Sequence, residues 1–237
     1  MNLLLLEPAD LLADNVARVS GRRLEHVRKV HRAQVGDTLK VGLVDGLLGE
    51  ATITALDREK LEFTFTLTDP PPPPATLQLI VALPRPPTFH KVLQQATAMG
   101  VKRFAFVHAA RVEGSYWTAR ALQGDGPRKH LLLGLEQARD TVLPVIEYHR
   151  KLHTFFETRY HPLTDGTQVL VGHPDGTVTC PPASPSPRTL VIGPEGGWIE
   201  RETLRFVEEG ATLVSLGPRI LRVETAVVAM LARLSIA

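Results

Sequence analysis

Hydrophobic and polar residues follow two different rhythms along this chain. Between Asp37 and Asp69 the rhythm is alternation: in LEFTFTL, Leu61, Phe63, Phe65 and Leu67 share one face. A period of two predicts half-buried strands, and Asp45-Gly46 is a hairpin turn pair. This stretch predicts a small β-barrel or curled sheet. Just ahead, in GRRLEHVRKVHRAQVGD, Leu24, Val27 and Val30 fall on one helical face. Beyond Ala75 short apolar runs predict strands in TLQLIVAL, RFAFVHA, PVIEYH, TQVLVG, TLVIG and TLVSLG. Between them, TFHKVLQQATAMG sets Phe89, Val92, Leu93 and Ala96 on a helical stripe that Gly100 ends. RKHLLLGLEQA, LHTFFETRY and VETAVVAMLARLS predict further helices. Strands alternating with helices predict an α/β fold with a parallel sheet covered on both faces. Such sheets bind ligands beyond the carboxyl ends of their strands.

Five consecutive prolines, Pro70 to Pro74, separate the two rhythms. Proline has no amide proton and a fixed φ, so the run is extended and cannot continue a sheet. The expected division is an N-terminal domain over 1–69, a linker over 70–75 and a larger domain over 76–237. PPASPSPR, Pro181 to Arg188, reads as a loop. With 237 residues, 43% of them hydrophobic, the chain has apolar mass for a core. A single cysteine, Cys180, forbids an intrachain disulfide and suits the cytosol. MNLLLLEPADLLAD lacks a basic leader, and no apolar run nears the roughly 18 residues of a membrane span. A cytoplasmic protein without a membrane partner is expected. The net charge of +2 names no partner by itself. Its distribution says more: from Arg18 to Lys40 seven Lys and Arg face only Glu25 and Asp37.

Three segments follow the last three apolar runs: VGHPDG (Val171 to Gly176), GPEGGW (Gly193 to Trp198) and SLGPRILRVETA (Ser215 to Ala226). Glycine lets backbone approach a bound group closely, and proline beside it pre-sets the turn. Loops of this kind offer amides and carbonyls to a nucleoside edge. They match neither the dinucleotide fingerprint nor a P-loop. Taken singly, each also reads as ordinary turn chemistry. Arg219 and Arg222 likewise read as ion-pair formers at a helix start, where Glu224 suits the dipole. His149 and His153 stand four apart, but no third ligand accompanies them, so no metal is expected.

LVIGPEGGWIERE followed by LGPRILRVETA resembles the paired signature of the ribosomal RNA small subunit methyltransferase E family, in the SPOUT class of knotted methyltransferases. HVRKVHRAQVGD, VLQQATAMGV and LEQARDTVLPVI resemble further family segments, so the similarity runs from about residue 22 to the end. There are departures. The chain opens MNLLLLEP where the family has an arginine-rich start. Asp140 stands where the family has arginine, with Arg139 one position earlier. ATAMG, with Ala98 and Met99, replaces the family's ATELG.

The resemblance implies an S-adenosylmethionine-dependent enzyme that methylates the imide nitrogen of a uridine in 16S rRNA, on RNA or on the 30S subunit. It implies a homodimer, a trefoil knot in the SPOUT-type C-terminal domain and a PUA-like N-terminal barrel that binds RNA. Around the cofactor it implies Val171, Gly172 and His173, then Ile192, Gly193, Glu195, Gly196 and Gly197. The third loop adds Ser215, Leu216, Gly217, Ile220, Leu221 and Arg222, with Leu216, Ile220 and Leu221 as apolar walls for the adenine. A uridine imide reacts poorly while protonated, so a donor for its carbonyl charge and a proton acceptor are needed. Arg222 is the expected donor, and Glu195 or Glu224 the expected base. RNA contacts are expected from Arg22, Arg23, Arg28, Lys29 and Arg32, with Arg111 and Arg139 from the larger domain. Two alternatives stay open: transfer to another RNA nucleoside, and a non-catalytic RNA-binding assembly protein of the same fold.

Overall fold

The computed structural model describes residues 2–235. They form two compact units. One runs to Pro73 and also takes in Leu132–Leu143. The other comprises Pro74–Leu131 and the chain from Pro144 onward.

The first unit is built on six strands: β1 (Leu4–Leu6), β2 (Leu11–Ala13), β3 (Val16–Val19), β4 (Thr38–Leu43), β5 (Leu48–Leu56) and β6 (Leu61–Asp69). Their order is β1-β4-β5-β6-β3-β2. β1 joins β4 in parallel, and the remaining pairs are antiparallel. The alternation in β6 places Leu61, Phe63 and Phe65 in the core as expected. Asp45 takes positive φ (57°) at the β4–β5 turn, as the hairpin signal required. β1 gave no periodic signal because it is buried on both faces. Leu4 and Leu6 enter the main core, whereas Leu3 and Leu5 pack with Leu135. That second contact is why Leu132–Leu143, distant in sequence, belongs with this unit. The Asn2 amide donates to the Glu136 carbonyl (3.1 Å), and the Asp45 amide to that of Thr141 (2.8 Å).

Helix α1 (Gly21–His26) continues into a π-helical turn, Val27–His31. Leu24 and Val27 are buried as expected, but Val30 is 63% exposed. The wider turn, with its i→i+5 bonding, carries Val30 off the shared face.

The second unit holds β7 (Leu77–Ala82), β8 (Arg103–Val107), β9 (Val145–His149), β10 (Gln168–Gly172), β11 (Val178–Thr179), β12 (Arg188–Ile192) and β13 (Thr212–Ser215). They form one sheet, β11-β13-β10-β12-β7-β8-β9. Every neighbouring pair in it is parallel. The helices are α2 (Pro86–Ala98), α3 (Gly126–Ala138), α4 (Leu152–Phe155), α5 (His161–Thr164), α6 (Glu200–Glu208) and α7 (Val223–Leu234). α3 begins in this unit and ends in the other. The expected α2 stripe of Phe89, Val92, Leu93 and Ala96 is fully buried, and Gly100 follows the helix with φ 85°. A π-helical turn, Phe156–Tyr160, links α4 to α5. Its aromatic rings form a cluster with Phe206 of α6, and Phe206 in turn contacts Trp198 with centroids 5.1 Å apart. The fold is mixed α/β with a parallel sheet, as the alternating pattern predicted.

The strand order is out of sequence at one edge. β13 lies between β10 and β11, so the short connection Gly172 to Val178 crosses it. Gly176 makes the crossing possible: a Cβ there would lie 2.7 Å from the Val214 carbonyl carbon and 3.0 Å from its N and O.

Candidate functional site

β13, β10 and β12 are adjacent and parallel, and Gly172 is in register with both Ile192 and Val214. The loops leaving these three strands therefore converge at one edge. They enclose a cavity of ≈ 250 Å³, close to the lower end of the ~300–1,000 Å³ usual for small-molecule sites. Gly172 and His173 line it from the first loop, Ile192, Gly193, Glu195, Gly196 and Gly197 from the second, and Ser215, Leu216, Gly217, Ile220 and Leu221 from the third. Val171 stays inside the sheet, fully buried. Arg222 is off the wall: it is exposed and forms the N-cap of α7, with its carbonyl accepting the Ala226 amide at 2.8 Å.

Several wall residues were not assigned from sequence. Arg219 and Trp198 are on the wall, and Val223, Ala226 and Met230 of α7 form its floor. Their spacing of three and four puts one helical face toward the loops. That spacing was legible in VETAVVAM, but it identified a buried face rather than a cavity.

The loops brace one another. The His173 amide donates to the Val214 carbonyl (3.0 Å), and the Cys180 amide to that of Ser215 (2.8 Å). The Ser215 hydroxyl accepts from the Gly217 amide (3.1 Å), and its single proton has two carbonyl acceptors, Pro174 (3.3 Å) and Gly217 (3.2 Å). A Cβ on Gly193 would lie 3.1 Å from the Trp198 ring. One on Gly172 would lie 2.7 Å from the Met230 sulfur. At both strand tips the missing side chain thus makes room for Met230 and Trp198 to pack against the backbone. The Trp198 indole N–H is buried and has no hydrogen-bond partner.

Charge gathers on one rim. Glu195 is exposed, and its carboxylate accepts the Arg85 amide at 3.1 Å. Arg111 donates to the Gly196 carbonyl. The Tyr116 phenol is pushed up by burial, with the charges of Glu113 and Glu195 adding to the effect. Behind this rim, the Glu202 carboxylate accepts the Ala110 amide (2.7 Å) on one oxygen and the Ile199 amide (3.0 Å) on the other. It ties the segment bearing Arg111 to the turn bearing Trp198. Glu224 does not line the cavity. It pairs with Lys91 (3.2 Å), and its own amide and that lysine hold its carboxyl below the usual range despite burial.

The predicted RNA-contacting cations divide sharply. Arg22 is bidentate to Glu136 (2.7 and 2.9 Å), and Arg23 is bidentate to Asp10 (2.6 Å for both bonds). Lys29 reaches Glu25 one turn back at 3.3 Å. Arg28 and Arg32 are exposed beside a separate cleft. Arg139 lies in the N-terminal unit, near His31 and Lys40. His149 and His153 face different carboxylates, Glu147 and Glu157. Among the described residues no three His, Cys, Asp or Glu side chains group as metal ligands.

Known proteins share both the sequence and the fold. A family model described as an RNA methyltransferase domain matches residues 71–235. The ribosomal RNA small subunit methyltransferase E of Treponema pallidum is 30% identical, over 95% of this chain and 87% of the relative. That of Mycobacterium bovis is 28% identical, over 92% and 86%. In fold, the chain resembles the crystal structure of the Neisseria gonorrhoeae enzyme of that name bound to S-adenosyl methionine. The TM-score is 0.73 at 22% identity, covering 98% of this chain and 95% of the other. The cavity therefore sits in the part of the chain that the domain match spans, and the likeness extends across both units: this chain belongs to the ribosomal RNA small subunit methyltransferase E family of RNA methyltransferases.

Proposed function

We propose that this chain transfers the methyl group of S-adenosylmethionine to the imide nitrogen of a uridine in small-subunit 16S rRNA. The cavity at the three strand tips carries the reading. Its apolar faces, Ile192, Leu216, Ile220, Leu221 and Met230, suit an adenine ring. Gly172 and Gly193 let Met230 and Trp198 close against the strand tips, and the unpartnered Trp198 N–H supplies a spare donor. Arg219 offers a guanidinium to the carboxylate of the methionine end. The residues present fit the cofactor.

When bound, S-adenosylmethionine supplies an electrophilic methyl on a sulfonium, open to in-line displacement. The chain's task is then alignment and proton handling. Of the two candidate bases, Glu195 is on the cavity rim and solvent-reachable. Glu224 is off the cavity and committed to Lys91 and its own amide. Glu195 takes the imide proton, and Glu224 serves the helix start. Arg219 on the wall serves the cofactor side. Arg222, exposed beside the wall, meets the incoming base and stabilises negative charge on its carbonyl oxygen.

A homodimer, a trefoil knot, a PUA-like RNA-binding N-terminal unit and a cytoplasmic setting belong to the same reading. The passage of β13 beneath the Gly172 to Val178 connection supports the knot. The exposed apolar Leu204 and Val207 of α6 support a second protomer. No helix among the described residues is long and apolar enough to cross a membrane. The test is mass mapping of nucleosides after reaction with undermethylated small subunits. 3-Methyluridine is the expected product, and methylation elsewhere or none refutes the reading. Arg222→Ala should cut the single-turnover rate by about 100-fold or more while cofactor affinity stays near normal. A near-normal rate removes Arg222 from the mechanism.

A further inference from the structure

The N-terminal unit contains a second open cleft, of ≈ 430 Å³, lined by Arg28, Arg32, Ala33, Gln34, Leu56, Asp57 and Arg58. Arg28 lies on the π-helical turn Val27–His31, and Arg32 caps it in the left-handed region (φ 52°), with its amide donating to the Val27 carbonyl. Arg58 comes from the β5–β6 turn, far away in sequence. Ala33 and Leu56 pack against the hydrophobic core and form the floor. All three arginines and Gln34 are exposed. Among the described residues none of the three guanidinium groups closes an ion pair, in contrast to Arg22 and Arg23.

The one acid on the wall, Asp57, is engaged internally. One of its oxygens accepts the Glu59 amide (2.7 Å) and the Lys60 amide (2.8 Å). Those amides, with Lys60 and Arg28 nearby, keep the carboxyl below its ordinary range. The cleft therefore presents three fixed positive charges against one acid. Arginine's planar fork matches phosphate oxygens and stays charged at every working pH.

We propose that Arg28, Arg32 and Arg58, aided by Gln34, form a clamp for RNA backbone phosphodiesters. The clamp assigns Arg58 and Gln34 a binding role, and removes Arg22 and Arg23 from it because both are already committed to carboxylates. That the polyanion is RNA rests on the proposed methyltransferase reading; the clamp's chemistry itself rests on the side chains. Contacts of this kind position RNA without reading its sequence.

The test measures filter binding of the full chain to a 16S rRNA transcript, and to an unrelated RNA of equal length, between ~50 and ~200 mM salt. Each lost phosphate contact lowers the slope of log K against log salt by about 0.7–0.9, which at ~0.1 M is about a five- to eightfold loss per arginine when the curves converge near ~1 M. The triple Arg28→Ala, Arg32→Ala, Arg58→Ala variant should lose roughly 100- to 500-fold on both RNAs. The triple Arg103→Ala, Lys151→Ala, Arg201→Ala variant, which removes three exposed cations of the other unit, is the matched charge control. An affinity and slope for the triple variant equal to the control overturn the proposal. So does a clamp that serves only free anion, seen as inorganic phosphate binding to the wild type that the triple variant loses while RNA affinity holds. Titration with S-adenosylmethionine is run on every variant. A wild type that grips RNA through the clamp but binds no cofactor defeats the methyltransferase reading and leaves the clamp standing.

Discussion

Replacing Glu202 by glutamine tests whether the rim of the cavity is held from behind. The side chain is 6% exposed, and each carboxylate oxygen accepts one backbone amide, Ala110 on one side and Ile199 on the other. Glutamine has nearly the same shape but only one acceptor oxygen. Whichever way it turns, one of the two amides faces an NH₂ group and loses its partner. A charge-assisted bond of this type is worth about 1.5–3 kcal/mol and a stranded buried donor costs about 1–3 kcal/mol; the two overlap, so the net loss is about 2–4 kcal/mol. For a unit of this size, each kcal/mol lowers Tm by about 2–4 °C. Calorimetry of Glu202→Gln should therefore show Tm lower by about 4–16 °C. Glu200→Gln removes an exposed acid from the same helical turn and should cost only about 0.3–1 kcal/mol through the helix dipole. Because Ala110 precedes Arg111 and Ile199 follows Trp198, Glu202→Gln should also weaken cofactor binding. A Tm for Glu202→Gln no lower than that of Glu200→Gln refutes the brace.

Three further outcomes follow from the geometry. Gly176→Ala forces a Cβ against the Val214 backbone and should destabilise by about 1–3 kcal/mol in thermal melts, whereas Gly114→Ala, with open space around it, should change little; equal effects would contradict the tight crossing. Arg22→Ala strands Glu136, whose side chain is only 4% exposed, and should cost about 2–3 kcal/mol after allowing for the half-exposed arginine. The salt slope for RNA should not change, and a slope reduced by a full contact would make Arg22 an RNA ligand after all. Glu147 is held below its ordinary value of 4.5 mainly by bidentate Arg159, with His149 adding. A depressed folded-state value stabilises fully above about pH 4.5 and is lost as pH falls through it. Acid unfolding of Glu147→Gln should therefore show a flatter pH dependence below about pH 4.5 than wild type, and parallel curves would count against the pair.

The sequence was most informative where chemistry restricts residue choice. Another side chain can pack directly on a strand tip only where the tip has none of its own, so Gly172 and Gly193 were visible in one dimension. The α2 stripe and the β6 alternation were visible because each element buries a single face. β1 was invisible for the opposite reason: Leu3 to Leu6 is buried on both sides, which erases any period. β11 is two residues long and depends on β13 for its place in the sheet. Val30 was misassigned because a π-helical turn changes the residue count per turn, which local hydrophobicity does not encode. Long-range partners were hidden throughout. The seven cations from Arg18 to Lys40 look alike in sequence; Glu136 and Asp10 take two of them out of circulation, while Arg58, outside that run, joins Arg28 and Arg32. Glu202 looked like any acid in a helical first turn until Ala110 came to lie against it.

The same crossing that disorders the strand sequence also fixes the site. Because β13 lies between β10 and β11, the loop from Gly172 must span it and β11 must pair on its far side. The Val214 carbonyl accepts from His173 on one side, and the Ser215 carbonyl accepts from Cys180 on the other. The Ser215 hydroxyl then ties the third loop to the first. Opening either loop at its base would release bonds to β13, so the strand-proximal ends of both loops are fixed. Alignment for an in-line displacement gains from such rigidity, since little reorganisation remains to oppose the transition state. Ile220 is the contrast: it lines the cavity yet is 84% exposed. The segment Gly217 to Leu221 is thus the least covered part of the wall, between a braced strand tip behind it and the start of α7 ahead.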